Sequence, residues 1–258
     1  RTRRDARMKE QRIEQIKDYI AKNKTVTIDA LCDAFDVSRN TVHRDLNMLA
    51  KRGVVKKIYG GVVYEQAMET IPLETRSIRN QEQKMRIARR AAALVKAGDS
   101  IFIDTGSTAT CFYQALPKDL GLTIFTNNID VLVHVVKGSG DTVIFTGGML
   151  FQETYSVTGE DALNTLSHYN IGKAFMSATG LSEEYGATNS TQGEYQVKSA
   201  AIKASREVIM LVDSSKFGTV SLMTFCNLSD IDTLVTDQTP PKSMGKYFAD
   251  HGTQVLIA

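Results

Sequence analysis

Residues 25–51 read TVTIDALCDAFDVSRNTVHRDLNMLAK, and this stretch predicts two short helices joined by a tight turn. Thr27 is a typical N-cap residue for the first helix. Apolar residues then recur at helical spacing, namely Ile28, Leu31, Cys32 and Phe35. Ser38 can cap a second helix that begins near Arg39. This helix has one apolar face, formed by Val42, Leu46 and Leu49. The pattern predicts a helix-turn-helix.

The second helix displays polar side chains near its N-terminal end, where a recognition helix contacts base edges. These residues are Arg39, Asn40, Thr41, His43 and Arg44. Arg can donate two hydrogen bonds to guanine, Asn can pair with adenine, and the Thr methyl can meet the methyl group of thymine. The alternative is an ordinary solvated helix face, but the turn and the flanking charge favour DNA contact. Thr27 and Ser38 complete this predicted DNA-binding set.

A wing is predicted directly after the second helix. Residues 54–64, VVKKIYGGVVY, contain two β-branched runs on either side of Gly60-Gly61. Three side chains of this hairpin can reach phosphate groups or the minor groove: Lys56, Lys57 and Tyr59. Such contacts add affinity for double-stranded DNA without reading its sequence.

Charge is unevenly distributed over the 258 residues, whose formal net charge is +2. Residues 1–64 hold 15 Lys and Arg against 8 Asp and Glu, whereas residues 65–258 hold 16 against 21. This asymmetry predicts a basic DNA-binding head on an acidic body. Residues 65–80 lack periodicity and contain Pro72, which indicates a linker. We therefore expect a head over 1–64, a linker over 65–80 and a second domain over 81–258.

Two further helices are predicted beside these segments. Residues 8–22 place Ile13, Ile16 and Ile20 on one face, which would complete the core of the head. Residues 81–96 form a periodic helix through Met85, Ala88, Ala92 and Val95. Residues 1–7, RTRRDAR, are either a basic arm that contacts phosphate or a solvated tail.

Several classes of protein are disfavoured. No run of 18 apolar residues occurs and the N-terminal residues lack an apolar segment, so we expect a cytoplasmic protein without membrane insertion. The three cysteines, Cys32, Cys111 and Cys226, form no CxxC pair, which disfavours a disulfide framework or a metal site. Neither a Walker A motif nor GxGxxG is present, so no nucleotide cofactor is expected.

From Ser100 onward, short apolar runs alternate with helical stretches: SIFID, LTIFT, DTVIFT, KAFMSAT, VIMLVD, TLVTD and QVLIA. This alternation predicts an α/β domain with an open, mostly parallel sheet, which binds ligands at the carboxyl ends of its strands. Small and polar residues stand at those ends, including Asp104, Gly106, Ser107, Thr108, Thr126, Asn127, Asn128, Gly147, Gly148, Asp213 and Lys216.

These loops suit a phosphorylated polyol. Amides and hydroxyls at a helix N-terminus after Gly106 can hold phosphate, Lys216 adds a positive charge, and Asp104 can accept hydrogen bonds from hydroxyl groups. Any one loop alone is explained equally by helix capping. Glu194 and Lys198, at i and i+4 of another helix, form either a surface ion pair or part of the ligand site.

Both parts of the chain resemble the DeoR family of bacterial transcription regulators. In the head, the family motif VSxxTVRRDLxxL is met by residues 37–49, with His43 in place of an Arg, and the GGV of the wing by residues 60–62, with Tyr59 in place of His. In the body, the matching segments are Asp104 to Thr108, Thr126 to Asn128, Gly147-Gly148, Gly159, Glu194 to Lys198, Asp213 to Phe217 and Thr236-Asp237. Tyr195 departs from the usual Ala, and Val235 stands before Thr236-Asp237.

The resemblance implies a winged helix-turn-helix followed by a sensor domain similar in fold to ribose-5-phosphate isomerase and the coenzyme A transferases. It implies a regulator, usually a repressor, of a sugar or polyol catabolic operon, with a phosphorylated sugar or sugar acid as effector. It also implies that Arg76 and Lys84 lie near that effector. The head looks especially like the subgroup that regulates myo-inositol catabolism, whose inducer is a phosphorylated keto-deoxy sugar acid.

Three hypotheses follow for function. A ligand-gated DNA-binding regulator explains the head, the charge asymmetry and the clustered loops. An isomerase is the alternative, with Asp104, Glu194 and Lys216 as acid, base and electrostatic stabiliser, but likeness of fold does not confer activity. A DNA-architectural protein leaves the loops without a role. Because helix-turn-helix heads read paired half-sites, we also expect a homodimer or homotetramer.

Overall fold

The computed structural model describes residues 12–13, 15–20, 22–23, 25–51, 55–58, 61–64, 78–136 and 140–258. The chain forms two compact units, Arg1–Glu69 and Thr70–Ala258. Among the described helices, none has both the length and the apolar character that a membrane crossing requires.

The N-terminal unit is a helix-turn-helix with a three-stranded antiparallel sheet. Its elements are β1 (Thr25–Thr27), α1 (Ile28–Phe35), α2 (Arg39–Lys51), β2 (Val55–Ile58) and β3 (Gly61–Tyr64). The described residues from 12 to 23 are helical, and Ile13, Ile16 and Ile20 are buried as the sequence predicts. The predicted hairpin is confirmed, since β2 pairs with β3. Strand β1, which was not predicted, pairs with the other edge of β3.

Local sequence accounts for the turn of this motif. The Thr27 hydroxyl accepts a hydrogen bond from the amide of Ala30 (3.2 Å), so Thr27 caps α1. Asp36 ends α1 in the left-handed conformation, with φ of 49°. The Ser38 hydroxyl accepts from the amide of Thr41 (3.3 Å) at the start of α2. Both predicted N-caps are confirmed.

The C-terminal unit is built on a seven-stranded, fully parallel sheet in the order β15-β14-β12-β9-β4-β5-β6. Its strands are β4 (Ser100–Ile103), β5 (Thr123–Thr126), β6 (Thr142–Phe145), β9 (Ile171–Ser177), β12 (Ser205–Leu211), β14 (Thr233–Thr236) and β15 (Gln254–Ile257). The sheet has the predicted parallel architecture, because its short apolar runs are covered on both faces.

Within residues 78–136 and 140–258, six helices accompany this sheet: α3 (Gln81–Ala92), α4 (Ser107–Ala115), α5 (Ile129–Val135), α6 (Glu160–Ser167), α7 (Gln192–Lys203) and α8 (Lys242–His251). One face of the sheet packs with α3 and α4, with Ile87, Ile103 and Phe112 in its core. The other face packs with α6, α7 and α8, around Phe102, Met210 and Phe248. The central sheet is thus the middle of three layers.

Two small antiparallel sheets complete this unit. They are the hairpin of β7 (Met149–Phe151) with β8 (Ser156–Thr158), and the sheet of β10 (Gly180–Ser182), β11 (Gly186–Asn189) and β13 (Met223–Cys226). The sequence did not predict either one. The predicted helix over 81–96 is wrong at its end: α3 stops at Ala92, and the amides of Leu94 and Val95 bond three residues back to close it with tight turns.

The order of strands creates a switch point in the centre of the sheet. From β4 the chain proceeds outward through β5 and β6, and it then returns to β9 on the other side of β4. The helix that follows β4 packs on one face of the sheet and α7, which follows β9, packs on the other, so the topology predicts a crevice at the carboxyl ends of these two strands. In open parallel sheets this crevice is the usual ligand site.

Candidate functional site

The exposed face of α2 forms the candidate DNA interface. Arg39, Asn40, His43 and Arg44 are exposed and Thr41 is partly exposed, whereas Val42, Leu46 and Leu49 are buried. The helix therefore presents its polar N-terminal residues outward, as predicted. The hydroxyls of Thr27 and Ser38 are occupied as helix caps.

Contacts within the head orient this face. Arg12 Nε donates to the buried carboxylate of Asp45 at 2.8 Å, which ties the first helical segment to α2. Arg39 pairs with Asp29, and Lys57 on β2 donates to Asn47 on α2. The Asp29 and Asn47 partners compete with phosphate or base contacts of Arg39 and Lys57. Tyr59 lies outside the described residues, so its predicted role stays a prediction.

Asp104 occupies the switch point directly after β4 and is fully buried. Its Oδ2 atom accepts a hydrogen bond from the amide of Ser177 at 2.8 Å, and the Ser177 hydroxyl lies 3.0 Å away. Ser177 ends β9, so these bonds join the carboxyl ends of the two strands that flank the crevice. The Oδ1 atom is buried without a hydrogen-bond partner among the described residues. It is an acceptor with unused capacity.

Lys198 of α7 forms an ion pair with Asp104. Its Nζ also donates to the carbonyl of Ser177 (3.0 Å) and lies 5.1 Å from the ring centre of Phe225. Glu194, one turn earlier, is buried and bonded to the hydroxyl of Thr191 (3.0 Å). These two described side chains form no ion pair with each other, so the surface-pair interpretation is wrong. Helix α7 turns both of them inward.

The N-terminus of α4 lies next to Asp104. Gly106, with φ of 113°, precedes the helix and gives it no side-chain cap. Ser107 and Thr108 are 8% and 6% exposed, and their hydroxyls make no hydrogen bond to another described residue. The first amides of a helix carry a partial positive charge. This end of α4 is therefore suited to bind an anion.

The loop after β5 lies at the same edge of the sheet and is held in place by hydrogen bonds. Thr126 donates to the carbonyl of Ile103 (2.7 Å), and Asn128 donates to the carbonyl of Asp104 (3.1 Å) while capping α5. Asn127 donates to the carbonyl of Val157 (3.0 Å), and its Oδ1 is buried without a partner among the described residues. The polar groups of Thr126 and Asn128 are thus committed to holding the fold.

Gly147 and Gly148 follow β6 with φ of 72° and 118°. A Cβ atom on Gly148 would lie 2.4 Å from the carbonyl oxygen of Thr158, so glycine is required for the close approach of this turn to β8. The structure thus assigns Gly148 a packing role, whereas a Cβ on Gly147 would meet open space and only its positive φ favours glycine.

The remaining predicted effector residues lie on α3 and after β12. Lys84 is buried, and its Nζ donates to the carbonyl of Arg79 at 2.5 Å. Burial raises the pKa of the neighbouring Cys111 thiol, and the charge of Lys84 partly opposes that shift. Asp213 is buried at the start of a single 3-10 turn, Ser214–Lys216, and Lys216 is partly buried. Arg76 lies outside the described residues.

Two residues of this region were not predicted from the sequence. Ser177 links β4 to β9, and it could have been found from the rule that polar residues at strand ends face the crevice. Asn80, whose side chain contacts Asp213, carries no comparable signal because the two are far apart in sequence.

Comparison with known proteins places both units in one family. The DeoR-like helix-turn-helix domain matches residues 12–67, and the DeoR C terminal sensor domain matches residues 79–238. The HTH-type transcriptional regulator IolR of Bacillus subtilis is 36% identical over 97% of this chain and 100% of its own length. GolR of Listeria innocua is 31% identical over 96% and 98%. The glycerol-3-phosphate regulon repressor of Escherichia coli is 29% identical over 96% and 98%.

Among solved structures, ribose 5-phosphate isomerase A of Methanocaldococcus jannaschii matches 54% of this chain and 55% of its own, with 20% identity and a TM-score of 0.39. The full-length sorbitol operon regulator SorC of Klebsiella pneumoniae matches 91% and 97%, with 9% identity and a TM-score of 0.43. These likenesses are too loose to support an argument about function. The matches to the regulators do support such an argument, because they span nearly the whole chain. Their names are those of regulators and repressors rather than enzymes. The chain therefore belongs to the DeoR family of helix-turn-helix transcriptional regulators.

Proposed function

We propose that the chain represses a sugar or polyol catabolic operon and that its effector is a phosphorylated sugar or sugar acid bound at the carboxyl edge of the parallel sheet. The observation that supports this site best is the buried ion pair of Asp104 and Lys198 at the switch point. Two buried charges cost desolvation energy and are weak evidence for stability. Their position beside an uncapped helix N-terminus favours a role in binding.

In this proposal the phosphate group binds the N-terminus of α4. The amides and hydroxyls of Ser107 and Thr108 donate to it, and Lys198 supplies positive charge. Asp104 and Asn127 each have an acceptor oxygen available for hydroxyl groups of the ligand. Glu194, Lys84, Asp213 and Lys216 complete the proposed effector set on the two sides of the crevice.

The class of ligand is supported by a relative and by the sequence. One relative bears the name of glycerol-3-phosphate, a phosphorylated polyol. The head resembles the subgroup that regulates myo-inositol catabolism, and IolR is 36% identical to this chain. The name of the glycerol-3-phosphate relative and the resemblance of the head to the myo-inositol subgroup support a phosphorylated intermediate with hydroxyl groups, which fits a site that combines anion-binding amides with free acceptors.

On the DNA side, we propose that α2 enters the major groove with Arg39, Asn40, Thr41, His43 and Arg44 toward the bases. The wing contributes phosphate contacts through Lys57 and Tyr59. Since heads of this kind read two half-sites, the active species is a homodimer or homotetramer. An effector that weakens DNA binding must, by linkage, bind the DNA-bound protein more weakly by the same factor.

The test is fluorescence anisotropy of the protein on labelled DNA from upstream of its own operon, at fixed salt concentration. Phosphorylated sugars, polyols and sugar acids are added one at a time, each with its unphosphorylated counterpart as control. We expect one phosphorylated compound to change the DNA affinity about tenfold, a coupling of about 1.4 kcal/mol, and its counterpart to have no effect. DNA binding that no phosphorylated compound alters would contradict the proposed sensor.

A further inference from the structure

Asn80 stands at the N-terminus of α3 but does not cap that helix. Its backbone is left-handed, with φ of 55° and ψ of 35°, and its side chain makes no capping hydrogen bond. An Asn in this position normally accepts a bond from an amide of the first turn and contributes about 1 kcal/mol. Here that contribution is forgone, and a conformation that is uncommon for residues other than glycine is kept.

The amide group of Asn80 reaches instead across the fold. Its Nδ2 lies 3.1 Å from Oδ1 of Asp213 and 3.4 Å from the hydroxyl of Ser215. Asp213 is 2% exposed, and the same oxygen accepts the amide of Ser215 at 3.1 Å. The start of the C-terminal unit is therefore bonded to the loop that follows β12.

A second bond holds the preceding residue. The buried ammonium of Lys84 donates to the carbonyl of Arg79 at 2.5 Å. Lys84 and Asp213 both belong to the proposed effector set. Arg79 and Asn80 are thus held by two side chains whose interactions would change when an anion enters the crevice.

We propose that Asn80 is a positioning residue that transmits the state of the effector site to the DNA-binding unit. This inference rests on the proposed function. In the sequence, Asn80 ends the predicted linker over 65–80, so a change at Asp213 or Lys84 is passed to the segment that leads to the head. Residues other than glycine that surrounding contacts hold in the left-handed region are typical of switch positions. In this role Asn80 would act through Asp213 and the linker, without contacting DNA or effector itself.

The experiment measures DNA affinity by anisotropy, with full-length protein and no added ligand. Asn80→Gly removes the amide but suits the left-handed backbone, and Asn80→Asp places a negative charge against Asp213. We expect both variants to change the DNA Kd at least fivefold and in the same direction. Asn170→Ala, at an exposed Asn whose side chain makes no hydrogen bond to the described residues, should stay within twofold of wild type.

A double-mutant cycle separates coupling from a general loss of structure. Asp213→Ala should change the Kd in the same direction as Asn80→Gly, and the double variant should change it no further than the larger single effect. Asn80 variants that bind DNA like wild type, or effects that multiply in the double variant, overturn the inference. Wild-type protein that fails to bind DNA overturns the proposed function and this inference together, whereas normal DNA binding by both wild type and the Asn80 variants overturns the inference alone.

Discussion

Removing the charge of Lys198 should destabilise the C-terminal unit strongly. Lys198 is 4% exposed and its partner Asp104 is fully buried. Among the described residues, Lys198→Met leaves Oδ2 of this carboxylate with the amide of Ser177 and a hydroxyl that it shares with the carbonyl of Thr105. Breaking a buried ion pair from one side costs about 3–5 kcal/mol. With a urea m value of about 2 kcal/mol/M, the unfolding midpoint should fall by roughly 1.5–2.5 M.

The assay is urea unfolding followed by circular dichroism, because the chain contains no tryptophan to report by fluorescence. Lys203→Met is the matched control, since Lys203 lies on the same helix but is exposed. It should change the free energy of unfolding by less than about 0.5 kcal/mol. The double variant Asp104→Asn, Lys198→Met should recover at least half of the loss, because no buried charge remains. A cost below about 1 kcal/mol for Lys198→Met, or a double variant as unstable as the single one, would refute this reasoning.

Three further outcomes are expected. Asn40→Ala should weaken binding to operator DNA by about 1–3 kcal/mol, measured by anisotropy. The melting temperature should not fall, because Asn40 is exposed on α2. Equal weakening on unrelated DNA would contradict a base contact. Gly148→Ala should lower the free energy of unfolding in urea by more than about 2 kcal/mol, because its Cβ would meet a carbonyl oxygen at 2.4 Å. The control Gly245→Ala lies within α8 with open space around it and should raise the free energy of unfolding by up to about 1 kcal/mol. Similar values for both variants would contradict the packing role of Gly148. Partial burial acts to raise the pKa of Asp99, but hydrogen bonds from Lys173 and a backbone amide outweigh it and hold this pKa below 3.8. The resulting stabilisation is complete above pH 3.8 and is lost as the pH falls through the folded-state pKa. Asp99→Asn should therefore be less stable than wild type by about 1 kcal/mol at pH 7, and the two proteins should have the same free energy of unfolding at low pH. A difference that persists at low pH would contradict this.

Local chemistry predicted much of the fold. The helix caps at Thr27 and Ser38 act within three residues of their own positions, so the sequence is sufficient to place the turn of the helix-turn-helix. The parallel sheet was predicted for a similar reason. Runs such as residues 100–104 are apolar on both faces, and a strand of this kind is buried only where helices cover both sides of the sheet. The candidate crevice followed from the polar residues at the ends of these runs.

Tertiary contacts explain what the sequence did not predict. The spacing of Glu194 and Lys198 suits a surface pair equally well, and only the packing of α7 against the sheet shows that Lys198 pairs with Asp104 instead. Strand β1 exists because β3 offers it an edge, which no local pattern in residues 25–27 reveals. The contact of Asn80 with Asp213 joins two segments that are distant in sequence.

The central claim is that an anion at the N-terminus of α4 controls DNA binding. The most direct test is a paired titration of wild type and Ser107→Asp with the same phosphorylated compounds, read by anisotropy on operator DNA. Aspartate suits the first turn of a helix but repels phosphate there. We expect both proteins to bind DNA and only wild type to respond to a phosphorylated compound. An equal response of both proteins, or no response of wild type to any compound, would contradict it.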